Sequence, residues 1–521
     1  MFASNMISDG SELLLLIPSL AGLVGSVVLP VLGAVPDGCI VLFSGIGPTA
    51  QEQLSVGIGA LAGSTIMLLT APWFLSVLGG RVNFGSDGKP DYKKKNNFPT
   101  DIEKWWFSTG VSLAPNVQTG GFLMTVTSIT YLIIEAPAMV FGHKYFGEDI
   151  PVGQAEIPYA LVALLSSSGM FFGYLYYKCY LNTTSIDEAK RIEKIIEKIK
   201  KNEITLRGII QAELKDKKVR KSSQSAAEAG ESSKLIMKNE VKKSLESIVK
   251  PFFQKYDIDD NKKLDLTELG SLLKELGESE AKKYFKKFDT NKDGVIDYQE
   301  FIEGITEYAL TEEIKLTKEV KEAVTSDEIE LIRKKNEADE EGDEEEEEMP
   351  EEFLEIKDPD EQQAAIGNKA AWMLSIGTFL VVLFSDPMVD VLNELGVRTS
   401  IPPFYVSFVL APLASNASEV IASYNYAQKK TVKSMEISLS ALQGACCMNN
   451  TFVLAIFMIC VYTQSLAWQF FAETVSILFS VLFIAAMSLK NHHTMFDALL
   501  IMMMYPMALV IVYTLEANGF D

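Results

Sequence analysis

Basic residues are the scarcer charge. The chain of 521 residues has 47 Lys+Arg against 69 Asp+Glu, a formal −22. That balance argues against nucleic acid as a partner, and its carboxylates suit divalent cations. Histidine is nearly missing: His143, His492 and His493 are the three, and none lies in the middle of an apolar run, which weighs against a histidine proton relay. The five cysteines, Cys39, Cys179, Cys446, Cys447 and Cys460, sit in or beside apolar runs. Their odd number and lack of metal-type spacing leave them as small buried apolar side chains, without a disulfide framework. Met1–Gly10 is short and polar, unlike a secretory leader. Charge is also missing from long stretches: 11–80, 107–142, 157–180 and most of 367–515 hold almost none, whereas 181–365 holds most of it. One soluble domain would spread its charges over its surface. Runs of about 20 apolar residues cross roughly 30 Å of hydrocarbon, so the pattern is that of a protein embedded in a lipid bilayer with a large polar insert.

Nine apolar segments are predicted, near 11–46, 53–79, 107–142, 157–180, 367–392, 403–427, 435–463, 467–489 and 494–515. Pro30, Gly33 and Pro36 break the first. Lysines and Arg191 crowd the loops after the second and fourth segments, lysines follow the sixth, and Lys490 follows the eighth; the alternate loops carry few bases. The positive-inside rule therefore places the insert in the cytosol and the C-terminus across the membrane. The sequon at Asn182 would then face the cytosol and stay unmodified.

Within the insert, 181–239 reads as a basic helical stretch with a Ser/Ala/Gly/Glu-rich link, 240–310 as a compact helical module, and 311–366 as an acidic linker. In Glu337–Glu352, 12 of 16 residues are acidic and none is basic, so that run is expected to be a solvating, unfolded segment. The module holds two twelve-residue loops. In the second, Asp289, Asn291, Asp293, Asp297 and Glu300 present side-chain oxygens at the spacing Ca²⁺ needs, Val295 a backbone carbonyl, and Gly294 the sharp turn. In the first, Asp257, Asp259, Asn261, Lys263, Asp265 and Glu268 occupy the matching places, but Lys262 stands where a turn glycine is usual. A positive φ there costs about 1 kcal/mol, so weaker binding is expected in this loop. The pair resembles the EF-hand family.

The apolar halves share an internal pattern. Asp37 follows Leu32-Gly33-Ala34-Val35-Pro36, and Glu419 follows Ser415-Asn416-Ala417-Ser418. Roughly thirty residues after each acid, a small-residue helix carries polar groups: Ser64 and Thr65 in one half, Asn449 and Asn450 in the other. A lone carboxylate in hydrocarbon is costly, and two at matching places suggest one shared mid-membrane cation site. Ser415 and Asn416 lie one turn before Glu419. Glu135, within the apolar run 129–142, has no counterpart in the repeat.

The stretches GSELLL at 10–15, LGAVPDG at 32–38, LAGSTIMLLT at 61–70, APLASNASE at 411–419 and MNN at 448–450 resemble the cation/calcium exchanger superfamily. They are closest to its plant-type sodium/calcium exchanger-like proteins with EF-hands. The resemblance implies an all-α polytopic membrane bundle of two inverted repeats, 10–180 and 367–515, with a cytosolic EF-hand pair between them. It implies ten helices, and only nine residues precede the GSELLL stretch, so the first helix is expected to be missing, either because the chain is truncated or because that helix is dispensable. It also implies a transporter, not an enzyme. Ca²⁺ would leave the cytosol in exchange for Na⁺ or H⁺ at the vacuolar or plasma membrane, with Ca²⁺ at the EF-hands as regulator. Asp37 stands where Glu is commoner in that family. A membrane-anchored calcium sensor without transport is the rival reading, and it leaves the two intramembrane carboxylates unexplained. An intramembrane aspartyl protease would want two aspartates. No protein partner is indicated.

Overall fold

The computed structural model describes residues 2–17, 28–85, 88–92, 101–141, 152–201, 206, 209–210, 242, 245–246, 248–259, 261–276, 281–311, 329–333, 350–354, 356 and 358–519. Two compact units are present, 1–182 with 345–521, and 183–344.

In the first half of the chain the helices are α1 (Phe2–Leu15), α2 (Leu29–Gly33), α3 (Val35–Ser44), α4 (Ala50–Gly80), the short α5 (Ile102–Phe107), α6 (Pro115–Phe141) and α7 (Val152–Lys200). The insert contributes α8 (Leu266–Leu276), α9 (Ala281–Phe288) and α10 (Tyr298–Thr311). The second half follows with α11 (Glu351–Leu354), α12 (Pro359–Thr399), α13 (Pro403–Ser415), α14 (Ala417–Gln428) and α15 (Val432–Met448). A π-helical turn (Asn449–Val453) joins α15 to α16 (Leu454–Gln464), and α17 (Phe471–Ser488) and α18 (Met495–Ala517) complete it. Strands are few: β1 (Val82–Asn83), β2 (Thr109–Ser112), β3 (Lys263–Leu264), β4 (Ile296–Asp297) and β5 (His492–Thr494).

Among the described residues, seven helices are long and apolar enough to cross a membrane, and an eighth span is the pair α13–α14, bent by 57°. The helices divide by what surrounds them. α4 is apolar on all sides and sits almost wholly buried inside the bundle, whereas the apolar stretches of α7 and α12 are mostly exposed. Phe172, Phe379 and Val510 are large, apolar and more than half exposed. Side chains of that kind all round a helix belong in lipid. α4 reaches the centre because it is built of small residues: a Cβ at Gly63 would collide with the Phe408 backbone, and one at Gly59 with Phe404 and Ser407 of α13.

Two predicted segments are divided differently. The apolar run 11–46 is shared between α1, which packs against α12 through Gly10 and Gly377, and the broken pair α2–α3. The run 107–142 is helical only from Pro115, because Thr109–Ser112 is taken by β2. That strand pairs antiparallel with β1 (Val82 opposite Gly110) and with β5 (Val111 opposite His493), so three connections are tied together at one end of the bundle.

The insert's unit has its own core. Phe252, Leu264, Leu269, Phe288, Ile296, Phe301 and Ile305 are fully buried or nearly so, as the flanking patterns of the two loops require. That core extends beyond 240–310: Ile195, Ile199, Leu206, Ile209 and Ile210 join it from one side of the sequence, Ile329 and Ile332 from the other. Most of the acidic run, 337–349, lies outside the described residues.

Candidate functional site

Both broken helices place an acid in the first turn of their second piece. The first break falls at Ala34, three residues before Asp37 in α3; the other falls at Asn416, three residues before Glu419 in α14. Pro36 opens α3, where it needs no N–H partner. A helix N-terminus favours negative charge through its unpaired N–H groups, so each break prepares a place for a carboxylate in an apolar setting.

The two halves meet around one hydroxyl. Ser64 of α4, fully buried, donates to Asp37 Oδ2. Its oxygen accepts from Asn416 Nδ2 at 2.6 Å and from Asn449 Nδ2 at 3.2 Å. Ser415 also faces the Asp37 carboxylate. Asp37 Oδ1 is buried and has no hydrogen-bond partner among the described residues. Glu419 lies against the first break, where a Cβ on Gly33 would stand 3.1 Å from Glu419 Oε1; Ser418 Oγ donates to its other oxygen at 3.1 Å. Asp37, Ser64, Ser415, Asn416, Glu419 and Asn449 therefore form one constellation built from both halves.

Thr65 and Asn450 stand apart from it. Thr65 Oγ1 donates to the Leu61 carbonyl of its own helix at 2.7 Å. Asn450 Nδ2 donates to Thr127 Oγ1 of α6 at 3.3 Å, and the Asn450 backbone carbonyl accepts from Thr130 Oγ1 at 2.9 Å. Successive residues of a helix point about 100° apart, so the two asparagines face different neighbours at the start of the π-helical turn. Such turns collect at functional sites, and no sequence pattern predicts this one. Gly33 is the other residue that sequence reasoning passed over as a site element; the break around it was the available signal.

In the insert, one carboxylate oxygen from each of Asp257, Asp259 and Glu268 lies within 4.8 Å of the others, and the same holds for Asp289, Asp293 and Glu300. Asn261 and Asn291 are folded inward, their side-chain oxygens accepting from Lys263 N at 2.8 Å and Asp293 N at 2.7 Å. Asp265 and Asp297 each accept the backbone N–H of the closing glutamate, Glu268 at 2.8 Å and Glu300 at 2.9 Å. Lys263 and Val295 sit at the loops' seventh positions, and β3 and β4 pair Lys263 with Asp297 and Leu264 with Ile296. Lys262 has φ 61°, the left-handed conformation expected of it, and Gly294 has φ 85°. Burial pushes the Asp257 carboxyl up, against the N–H groups of Lys262 and Asn261. The Val295 N–H holds Asp293 below its ordinary value. Burial would raise Glu300, but the N–H of Asn291, the Thr290 hydroxyl and further backbone N–H groups outweigh it and hold Glu300 low.

Residues 369–514 match the family model for sodium/calcium exchanger protein, and residues 247–306 match the EF-hand domain pair. The second membrane half is a sodium/calcium exchanger domain, and the insert is an EF-hand pair. The similarity runs along almost the whole chain. Sodium/calcium exchanger NCL1 of Oryza sativa subsp. japonica is 27% identical over 534 residues, covering 99% of this chain and 82% of the relative. Sodium/calcium exchanger NCL of Arabidopsis thaliana is 27% identical over 537 residues, covering 99% and 83%. The exchanger-like protein is thus a multi-pass membrane protein with its EF-hand pair between two membrane halves.

Proposed function

We propose that this protein is a secondary antiporter that carries Ca²⁺ out of the cytosol in exchange for Na⁺ or H⁺, with the EF-hand insert in the cytosol as its Ca²⁺ regulator. One observation carries the reading: two carboxylates at matching helix breaks, one per half, are brought to a single polar constellation inside the bundle. Asp37 and Glu419 would supply the negative charge that offsets a divalent ion; Ser64, Ser415, Asn416 and Asn449 would supply neutral oxygens in a water-poor setting. Either two monovalent charges or one divalent ion restores the same balance, which is what exchange requires. Because Ser64 touches groups of both halves, a cation that displaces its hydrogen bonds would favour one arrangement of the halves over the other.

The EF-hand ligands are Asp257, Asp259, Asn261, Lys263 through its carbonyl, Asp265 and Glu268, and their counterparts Asp289, Asn291, Asp293, Val295, Asp297 and Glu300. The orientation rests on the loop lysines, and the vacuolar and plasma membranes both fit it. The decisive experiment loads sealed vesicles containing the purified chain with Ca²⁺ and imposes either a Na⁺ gradient or a pH gradient. Flux driven by one gradient names the counter-ion; flux driven by neither, in vesicles whose protein still binds Ca²⁺ at the EF-hands, leaves a sensor without transport.

A further inference from the structure

The third membrane span of each half carries, in it or just after it, a tryptophan whose indole N–H reaches across to the other half. Trp73 of α4 donates to His493 Nδ1 at 3.2 Å, beside the β1–β2–β5 sheet. Trp468, four residues after α16, donates to Glu135 Oε2 of α6 at 2.7 Å, near the opposite end of the bundle. The two ends are not equivalent in charge. His493 is fully buried and its other nitrogen faces the Met487 carbonyl at 3.0 Å. Burial holds its imidazole down at about 4, so it is neutral. Nearby, Lys490 and Asp497 close an ion pair at 2.6 Å. That end is compensated.

The Trp468 end is not. The same residue's backbone N–H donates to Glu156 Oε2 of α7 at 2.7 Å, so one tryptophan holds two glutamates. Glu135 and Glu156 are 4% and 6% exposed, and no ion pair among the described residues reaches either. Thr474 Oγ1, fully buried and without a hydrogen-bond partner among the described residues, faces Glu135. The arrangement is held firmly. A Cβ on Gly153 would collide with the Ser465 carbonyl, so the start of α7 sits directly on the 465–468 connection. Trp468 itself is buried against Phe457 and Phe470. Two buried carboxylates held by one tryptophan, with a buried hydroxyl that has no partner among the described residues turned toward one of them, are a hard-cation donor set.

We propose that Glu135, Glu156 and Thr474 form a second cation site, at the end of the bundle away from the β1–β2–β5 sheet, that takes a hard cation of the exchanged kind, Ca²⁺ or Na⁺. It shares no residue with the Asp37–Glu419 constellation, and it stands whether or not that constellation transports. The test uses the full chain carrying Asp37→Asn, Glu419→Gln, Glu268→Gln and Glu300→Gln, which silences the central constellation and both EF-hands. Radiolabelled Ca²⁺ and radiolabelled Na⁺ are bound separately, before and after adding Glu135→Gln and Glu156→Gln. Glutamine keeps an oxygen for each Trp468 N–H, and thermal unfolding checks the fold; if the pair does not fold, Glu156→Gln alone serves. The expected result is the loss of one saturable site per chain for one of the two ions, the ion that loses it naming the occupant. Saturable binding unchanged by the glutamines overturns the proposal. So does the absence of binding of either ion beforehand, which would leave the pair a holder of protons only.

Discussion

The EF-hand loops and the membrane constellation are both clusters of carboxylates, yet they satisfy their oxygens in opposite ways. In the loops, the chain's own backbone does it: Glu300 accepts the N–H groups of Thr290 and Asn291 at 3.0 Å each, and Asp257 accepts that of Lys262 at 2.8 Å. Every donor lies within twelve residues, in contact with water. In the membrane, Asp37 has a serine 27 residues away, and that serine is held by asparagines 352 and 385 residues from it. One oxygen of Asp37 is left with nothing among the described residues. A loop that satisfies itself can hold a cation as a stable ligand. A constellation that depends on both halves of the chain is sensitive to how those halves are arranged, which is what a carrier needs and a sensor does not.

Removing the shared hydroxyl should strike the membrane constellation hardest. Ser64→Ala leaves Asp37, Asn416 and Asn449 without their common partner. Unpaired buried polar groups cost roughly 1–3 kcal/mol each, so Ca²⁺ flux should fall by about 10- to 100-fold while Ca²⁺ binding to the EF-hands is unchanged. Flux assays paired with calorimetry on the same preparation check both halves of that statement. Crowding the centre tests packing separately from polarity. Gly63→Ala drives a methyl into the Phe408 backbone; overpacking of this kind costs about 1–3 kcal/mol, and the melting temperature of the detergent-solubilised chain should drop accordingly.

The loops should respond more gently. Lys262→Gly removes the strain of a left-handed side-chain-bearing residue, about 1 kcal/mol, and should tighten Ca²⁺ at the first loop by about fivefold, narrowing its gap from the second. Acidification should separate them again. Asp257 is pushed up and therefore protonates first as pH falls, whereas Asp293 and Glu300 are held low and stay ionised further down. The first loop should release Ca²⁺ at a higher pH than the second. In the ion-free unit, the stability lent by Asp293 and Glu300 is present above their ordinary values and is lost as pH falls through their lowered ones. Calcium titrations of Glu268→Gln and Glu300→Gln chains from neutral pH down to about 4 resolve the order.

What the sequence made legible follows the same division. The EF-hand loops were readable residue by residue because their chemistry is local: alternate oxygens, a turn at the sixth position, a closing glutamate. Even Lys262's positive φ could be anticipated. The membrane halves were legible as apolar runs, and the acids at 37 and 419 stood out because charge is costly there. The turning of Asn449 toward Ser64 and of Asn450 toward Thr127 was not legible, since neighbouring asparagines look alike until the packing of α4 and α6 around their helix decides which one faces the site. The wider core of the insert was hidden too. Ile195, Ile199, Leu206, Ile209 and Ile210 sit in a stretch that reads as basic because its charges outnumber them, yet they pack on the same core as Phe252 and Phe301. Glu135 was visible as an odd acid, but its partner Glu156 lies across an intervening connection, and the tryptophan holding both is more than 300 residues further on.

The most direct measurement compares gradient-driven Ca²⁺ flux in sealed vesicles for four chains: unaltered, Asp37→Asn, Glu419→Gln, and Glu268→Gln with Glu300→Gln. If the matching carboxylates carry the ion and the EF-hands only regulate, each single membrane substitution abolishes flux although the protein folds and its EF-hands bind Ca²⁺. The EF-hand double substitution keeps maximal flux and loses its dependence on Ca²⁺ at the insert's side. Normal flux in the Asp37→Asn or Glu419→Gln chain would contradict a site shared between the two halves.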